Sequence, residues 1–281
     1  MTSTLPLSSV AIDQETIAAL RILAQLVAEE GRRIVLIGAT VPQLFVDLRR
    51  PTHDVIGVIT ADSWADFDRI RGRLFKAGFR PGSAPHELRF GEAVRIDLIP
   101  YGAGVVQDDR LEWPGADRIM STLGVEEAFE CAMDQKVAAG LSLPVVKIPG
   151  FVLLKIVAYL DRPQERAKDL ADVAHCFEYY EESLEGSQRF DVAGVTVEGQ
   201  PVQFEEAGAF LLGAELATLA RPKSLVAVRG FLERVPDEYA MPIHQILAEE
   251  RRVGDNEGRG RRVLRLFRVF AAGLNNDARA Q

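Results

Sequence analysis

Between Asp13 and Glu30 the apolar residues Ile17, Leu20, Leu23, Leu26 and Val27 recur at helical spacing, the pattern of a helix with one buried face. Asp13 stands at the N-cap position and Gly31 stops the run. The pattern then tightens. Arg33-Ile34-Val35-Leu36-Ile37 reads as a buried strand running into Gly38-Ala39-Thr40, with Thr40 as N-cap and Pro42 in the first turn of a following helix. Val55–Ile59 predicts the next strand, and Ser63 caps a helix whose core face is Trp64, Phe67, Ile70, Leu74 and Phe75. Glu87–Phe90 and Ala93–Ile99 read as antiparallel neighbours joined by the turn Gly91-Glu92. Strand, helix, strand, helix, strand, strand in that order predicts an α/β domain on a mixed sheet.

Past a strand expected at Leu143–Ile148 the pattern becomes helical. Pro149 and Gly150 open a helix over Phe151–Leu160, Pro163 interrupts, and a second helix spans Glu165 to Tyr180. Two short strand-like runs, Phe190–Val197 and Pro201–Phe204, precede three or four more helices. The division expected is an α/β domain over residues 1–148 and a mainly helical domain over 149–281. In the final helix Val263, Leu266, Phe267, Phe270 and Leu274 share one face, and Arg261, Arg262, Arg265 and Arg268 lie on another. That basic face reads either as a solvated surface or as a stripe for RNA phosphates or an acidic partner.

Composition narrows the class. At 47% hydrophobic and 26% charged residues, the chain is neither collagenous nor largely disordered. A chain of 281 residues hides roughly three quarters of its unfolded surface, so it needs no disulfide framework. Its two cysteines, Cys131 and Cys176, are too few for one and lack zinc-site spacing. No basic residue precedes an apolar run near Met1, and Phe151–Leu160, broken by Lys155, falls short of a membrane span. A soluble, cytoplasmic protein without a membrane partner is expected. The net charge of −8 opposes indiscriminate binding to nucleic acid, although residues 251–270 hold seven arginines against two acids.

Three fragments together suggest phosphate chemistry. Gly38-Ala39-Thr40 ends a strand at a helix N-terminus, where backbone N–H groups hold phosphates. Asp54 opens the next strand, and Asp97 sits among Ile96, Leu98 and Ile99, where an acid is costly unless paired or metal-bound. Carboxylates on adjacent strands hold Mg²⁺ or Mn²⁺ for phosphoryl transfer. Singly, each has a plainer reading: a strand–helix corner, a turn acid pairing with Arg49 or Arg50, a strand residue facing solvent. The four histidines, His53, His86, His175 and His244, show no metal-site spacing, and His175 beside Cys176 reads as packing. Gly102-Ala103-Gly104 has no helix after it and is no dinucleotide signal.

The string Ile37-Gly38-Ala39-Thr40, then Arg50-x-Thr52-x-Asp54, then Val94-x-x-Asp97-Leu98-Ile99-Pro100-Tyr101-Gly102 resembles the polymerase-beta-like nucleotidyltransferase superfamily. Within it, the chain is most similar to the AbiE-type (AbiEii) abortive-infection toxin nucleotidyltransferases of bacterial toxin–antitoxin systems. The likeness continues through Glu112-Trp113-Pro114 and Gly124-Val125-Glu126-Glu127-Ala128. It is strongest in Pro149-Gly150-Phe151-Val152-Leu153-Leu154-Lys155-x-x-Ala158-x-x-x-Arg162 and Lys168-Asp169-x-x-Asp172, and it covers residues 30–183.

The resemblance implies a polymerase-beta-like nucleotidyltransferase domain followed by a helical one. It implies that Gly38 and Thr40 contact nucleotide phosphates, that Asp54 and Asp97 hold metal, and that Asp97 helps activate the attacking hydroxyl. Lys155 matches a lysine that holds phosphate oxygens, and Lys168 with Asp169 matches a basic–acidic pair, Asp169 and Asp172 sharing a helix face. Their plainer readings are a lysine snorkelling to solvent and a helix-surface charge pattern.

The family pattern also has a second aspartate two residues after the first. Here Asp54-Val55-Ile56-Gly57 puts Ile56 there, and a neutral side chain cannot hold a cation; Asp62 and Asp66 are substitutes by position only. Two functions follow. One is a Mg²⁺-dependent transferase moving NMP from an NTP to RNA, tRNA above all, or to protein, with a cognate antitoxin as partner. The other is an impaired pseudoenzyme that binds nucleotide or a partner protein.

Overall fold

The computed structural model describes residues 12–38, 41, 54–116, 118–180, 192–250 and 255–276. The chain divides into two units, Met1–Lys147 and Ile148–Gln281. In the first, α1 spans Gln14–Glu29, and its N-cap is Asp13, whose Oδ1 accepts from the Thr16 N–H at 2.8 Å. Leu20, Leu23 and Val27 are buried on its inner face. After β1 (Ile34–Leu36) and β2 (Asp54–Thr60) comes α2 (Trp64–Lys76), where Ser63 Oγ accepts from the Asp66 N–H at 3.1 Å. Phe67, Ile70 and Leu74 of α2 are buried, as the periodicity predicts.

The short β3 (Arg80–Pro81) leads to β4 (Glu87–Phe90) and β5 (Val94–Tyr101), which pair antiparallel as expected. Three short strands follow, β6 (Val106–Gln107), β7 (Arg110–Glu112) and β8 (Ile119–Ser121), forming a sheet of their own. Then come α3 (Val125–Cys131), β9 (Met133–Ala138) and β10 (Leu141–Val145). The main sheet is mixed, in the order β3-β4-β5-β2-β1-β10-β9. The strand expected at Leu143–Ile148 ends at Val145, and Ile148 already begins a helix. Proline has no N–H to lose in a first helical turn, so Pro149 sits inside the helix start instead of ahead of it.

Asp62 and Asp66 belong to the brace between α1 and α2. Arg32 Nη2 lies 2.5 Å from Asp62 Oδ2 and 2.7 Å from Asp66 Oδ2, and Asp66 also pairs with Arg69. Buried Asp66 further accepts from the Asp62 N–H at 3.0 Å. The Asp66 carboxylate is taken up by these partners, while Asp62 is an exposed acid paired with Arg32.

Among the described residues the second unit is helical apart from one ribbon. Its elements are α4 (Ile148–Asp161), α5 (Ala167–Tyr179), β11 (Thr196–Val197), β12 (Gln200–Pro201), α6 (Ala207–Leu219), α7 (Pro222–Leu232), α8 (Met241–Glu250) and α9 (Asn256–Leu274). Phe177 packs edge-on to Phe267, ring centroids 5.0 Å apart, and lies 4.8 Å from Phe270. The predicted apolar face of α9, Val263 to Leu274, is buried throughout. No helix among the described residues is long and apolar enough to cross a membrane.

Two glycines let α6 and α9 touch backbone to backbone. A Cβ on Gly273 would overlap the Phe210 carbonyl oxygen and stand 2.9 Å from its carbon; one on Gly213 would stand 2.9 Å from the Leu274 nitrogen. Gly273→Ala forces the helices apart and should destabilise the second unit by about 1–3 kcal/mol, the usual cost of overpacking, read as a lower urea midpoint. An unchanged midpoint would show that the contact is slack.

The basic face of α9 braces the chain to itself. Arg265 Nε and Nη2 each lie 3.1 Å from a Glu206 oxygen, and its guanidinium also donates to the Val197 and Pro201 carbonyls. Arg268 meets Glu198 at 2.6 Å, Arg262 meets Glu178 at 3.4 Å and Arg261 meets Glu257 at 2.9 Å. Each of the four arginines thus meets an acid, Arg265 in a half-buried brace and Arg261 and Arg262 in exposed surface pairs.

Candidate active site

In the first unit the chemistry converges where β1, β2 and β5 lie side by side. β1 and β2 are antiparallel, while β2 and β5 are parallel, so the end of β1 meets the starts of the other two. Gly38 follows β1, beside the hydrogen bond from the Ile37 N–H to the Ile56 carbonyl at 2.8 Å. A Cβ on Gly38 would stand 2.8 Å from the Ile56 nitrogen and 2.9 Å from its Cγ1, so only glycine permits this approach. Ala39 and Thr40, with residues 42–53, lie outside the described residues. Asp54 heads β2 as the register partner of Arg95, and its side chain is likewise outside the description.

Register also sets Ile56 opposite Asp97 on one side, and Glu87 of β4 opposite Asp97 on the other. Register partners project to the same face, so an isoleucine, an aspartate and a glutamate form a row across β2, β5 and β4. Val55, Ile96, Leu98 and Leu88 alternate to the opposite face and are buried. Asp97 Oδ2 lies 3.5 Å from Arg95 Nη2 and 3.8 Å from His86 Nε2. Its Oδ1 is buried with no hydrogen-bond partner among the described residues. An anionic oxygen shut off from water and unpaired is what a cation would complete, so the residue fits a metal ligand.

Glu87 cannot fill the place of the missing aspartate. At 2% exposure it accepts from the Ser83 hydroxyl at 2.9 Å and from Arg89 Nε at 2.8 Å. Burial alone would raise its pKa; Ser83, Arg89 and Arg95 outweigh that and hold it below the usual value. Its charge is already spent on these partners.

In the second unit, Lys155 of α4 is buried and reaches α5. Its Nζ lies 2.6 Å from Asp169 Oδ1 and 2.8 Å from Asp172 Oδ2. Arg166 stands 3.5 Å from Asp169 Oδ2, and Asp169 is 2% exposed. Burial pulls the Lys155 pKa down, but Asp172 and Asp169 more than reverse this and set it above its usual 10.5. Asp169 and Asp172 thus share a face, as their spacing predicts, and that face is turned to Lys155. Neither the snorkelling lysine nor the plain surface charge pattern describes this triad. Lys168 is exposed.

A family model described as the nucleotidyl transferase AbiEii toxin of type IV toxin–antitoxin systems matches residues 21–199, more than half of the chain. The chain belongs to the AbiEii family. The likeness read from the motifs is therefore borne out, and the matched stretch contains every candidate residue in both units. No curated protein matches the chain. Among solved structures, JHP933 from Helicobacter pylori is similar at 10% identity and a TM-score of 0.40, covering 95% of this chain and 96% of that one. A CCA-adding enzyme, apo and in complex with ATP, is similar at 14% identity and a TM-score of 0.34 in both forms. These two matches cover 87% and 92% of this chain but only 57% and 64% of the enzyme.

Sequence reasoning missed His86, Glu87 and Arg95. The expected two-residue turn Gly91-Glu92 would pair Phe90 with Ala93 and set Glu87 opposite Ile96; the turn takes in Ala93 as well, so Phe90 pairs with Val94 and Glu87 comes opposite Asp97.

Proposed function

We propose that this AbiEii chain is a Mg²⁺- or Mn²⁺-dependent nucleotidyltransferase that moves NMP from an NTP to a hydroxyl of RNA, tRNA above all, or of a protein. The observation that carries the reading is Asp97, a carboxylate with one buried, unpaired oxygen on the strand beside Asp54. The acceptor oxygen bonds to the α-phosphorus, the bond to pyrophosphate breaks, and the hydroxyl proton departs toward Asp97. A divalent cation on Asp54 and Asp97 would neutralise charge gathering on the pyrophosphate. The backbone after Gly38, with Thr40, cradles phosphates. In the second unit, Lys155 has one ammonium donor beyond its two carboxylates for a phosphate oxygen, and Lys168 adds a solvent-facing charge. Asp169 holds Lys155 in place. The cytoplasm is the expected setting and a cognate antitoxin the expected protein partner.

The test is transfer of label from each α-radiolabelled NTP onto RNA and onto protein, with Mg²⁺ or Mn²⁺, beside an Asp97→Ala chain. Label that depends on Asp97 supports the reading and names nucleotide and acceptor together. A folded chain that binds NTP and transfers nothing removes it.

A second reading, a nucleotide- or partner-binding pseudoenzyme, is favoured by Ile56, which faces Asp97 in register and rests against Gly38. Ile56→Asp places a carboxylate in that position and should raise Mg²⁺-dependent transfer at least about tenfold, roughly 1.4 kcal/mol of barrier. If wild type and variant are both silent yet bind NTP, the binding module is the better description.

A further inference from the structure

Beside the row that holds Asp97 runs a second row of opposite charge. Asp54 pairs with Arg95, Arg95 with Arg89 and Arg89 with Arg80, so the row crosses β2, β5, β4 and β3. Register partners project to one face, which sets three arginines side by side on the face that carries Asp97. All three are exposed, with 56% of the Arg89 side chain and 45% of the Arg95 side chain open to water. Beneath them lies buried Glu87, which accepts from Arg89 Nε at 2.8 Å and stands 3.8 Å from Arg95 Nε. One buried acid thus steadies two guanidiniums at the surface, and Arg80 is tethered through Nη2 to the Gly91 carbonyl. The acid row is roofed where Trp113 packs on His86, ring centroids 5.5 Å apart, whereas the arginine row is exposed. A charge on the edge strand β3 guards against stray pairing, which accounts for Arg80 but not for Arg89 and Arg95 on inner strands.

The side on which the row lies decides what it can serve. Sheet order sets β1, with Gly38 after its end, on one flank of β2, and β5, β4 and β3 on the other. In phosphoryl-type transfer the attacking and leaving oxygens stand roughly in line across the phosphorus. A triphosphate cradled after Gly38 sends its pyrophosphate toward the β1 flank. The acceptor hydroxyl then arrives from the β5 flank, over Asp97 and the arginines. There it meets three positive charges spread over about 10 Å, since neighbouring strands lie about 4.8 Å apart. A nucleic acid backbone brings repeated phosphates within that span, which a protein hydroxyl does not.

We propose that Arg80, Arg89 and Arg95 form a phosphate-binding track for the acceptor, and that the acceptor is therefore RNA and not protein. The inference rests on the reading of this face as a transferase site. Guanidinium groups grip phosphate bidentately and stay charged at any working pH. On a chain of net charge −8, the row also confines RNA to the one flank where a hydroxyl can react.

The test is fluorescence anisotropy of labelled tRNA on the full chain across a salt series, with NTP affinity measured beside it. Each phosphate contact contributes about 0.7–0.9 to the slope of log affinity against log salt, or about five- to eightfold in affinity at about 0.1 M salt. Arg80→Gln, Arg89→Gln and Arg95→Gln should each cost about that much RNA affinity and flatten the slope, while NTP affinity holds. Lysine at the same positions returns the charge and should recover most of the slope. Should the changes at Arg89 and Arg95 unfold the chain by stranding Glu87, Arg80→Gln carries the test, with Arg80→Lys as its rescue. RNA affinity and slope unchanged in the triple glutamine variant overturn the proposal. So does NTP affinity that falls as far as RNA affinity, because the row would then serve the triphosphate. Label on protein that depends on Asp97, from a chain indifferent to RNA, sinks the track and leaves the transferase reading standing. No label on any acceptor removes the transferase reading, and the acceptor assignment with it, whatever RNA the row holds.

Discussion

Asp97→Asn should reduce nucleotidyl transfer by at least about 10² to 10³-fold, roughly 3–4 kcal/mol of barrier, while leaving the fold intact. The two effects separate because Asp97 contributes little to stability where it stands. Its Oδ1 has no hydrogen bond to lose, and its approach to the half-exposed Arg95 at 3.5 Å is a weak pair. Asparagine keeps the volume and removes a charge that is half withdrawn from water. The melting temperature should therefore stay level or rise, and thermal unfolding beside the transfer assay checks both halves. A drop in stability as large as the loss of transfer would mean that Asp97 braces the sheet and that its chemistry was misread.

Lys155→Met should destabilise the second unit by about 3–5 kcal/mol, the cost of breaking a buried ion pair from one side. Methionine fills the space of the lysine stem but leaves Asp169, 2% exposed, facing an apolar group, with Arg166 at 3.5 Å as its remaining cation. Adding Asp169→Asn should recover much of the loss, because the stranded charge causes most of it. Urea unfolding of the single and double variants measures the coupling, and simple additivity would refute it. The pH dependence has a definite sign. With the folded pKa of Lys155 above 10.5, its contribution is complete below about that pH and disappears as pH rises through the folded value. Stability that falls between pH 7 and 9 therefore has another source.

What the sequence discloses depends on how far apart the deciding residues lie. α1 and α2 are legible because their caps and apolar faces are local. Asp97 is legible because an acid among Ile96, Leu98 and Ile99 breaks a core pattern. β9 is not, since an edge strand reading Met133-Asp-Gln-Lys-Val-Ala138 carries the polar residues that protect an edge. The strands β6 to β8 are too short to show alternation. Asp169 and Asp172 announce a shared face by spacing alone, but Lys155 as their common partner depends on the angle between α4 and α5. His86 is hidden for a different reason. One histidine has no spacing to recognise, and its surroundings come from a strand register and a tryptophan in a loop.

The sheet closes on a long-distance contact. β2, β4 and β5 find their partners inside the stretch from Asp54 to Tyr101, with α2 as the only long element between them. The β9–β10 hairpin joins through β1, where Leu36 meets Val145 across more than a hundred residues. Closing so long a loop costs entropy that only late contacts repay, whereas the inner pairing is cheap to start. The strands bearing Ile56, Glu87 and Asp97 should therefore reach register first, with the chemical face assembled before the sheet that encloses it is complete, an order that pulsed hydrogen exchange on refolding would check.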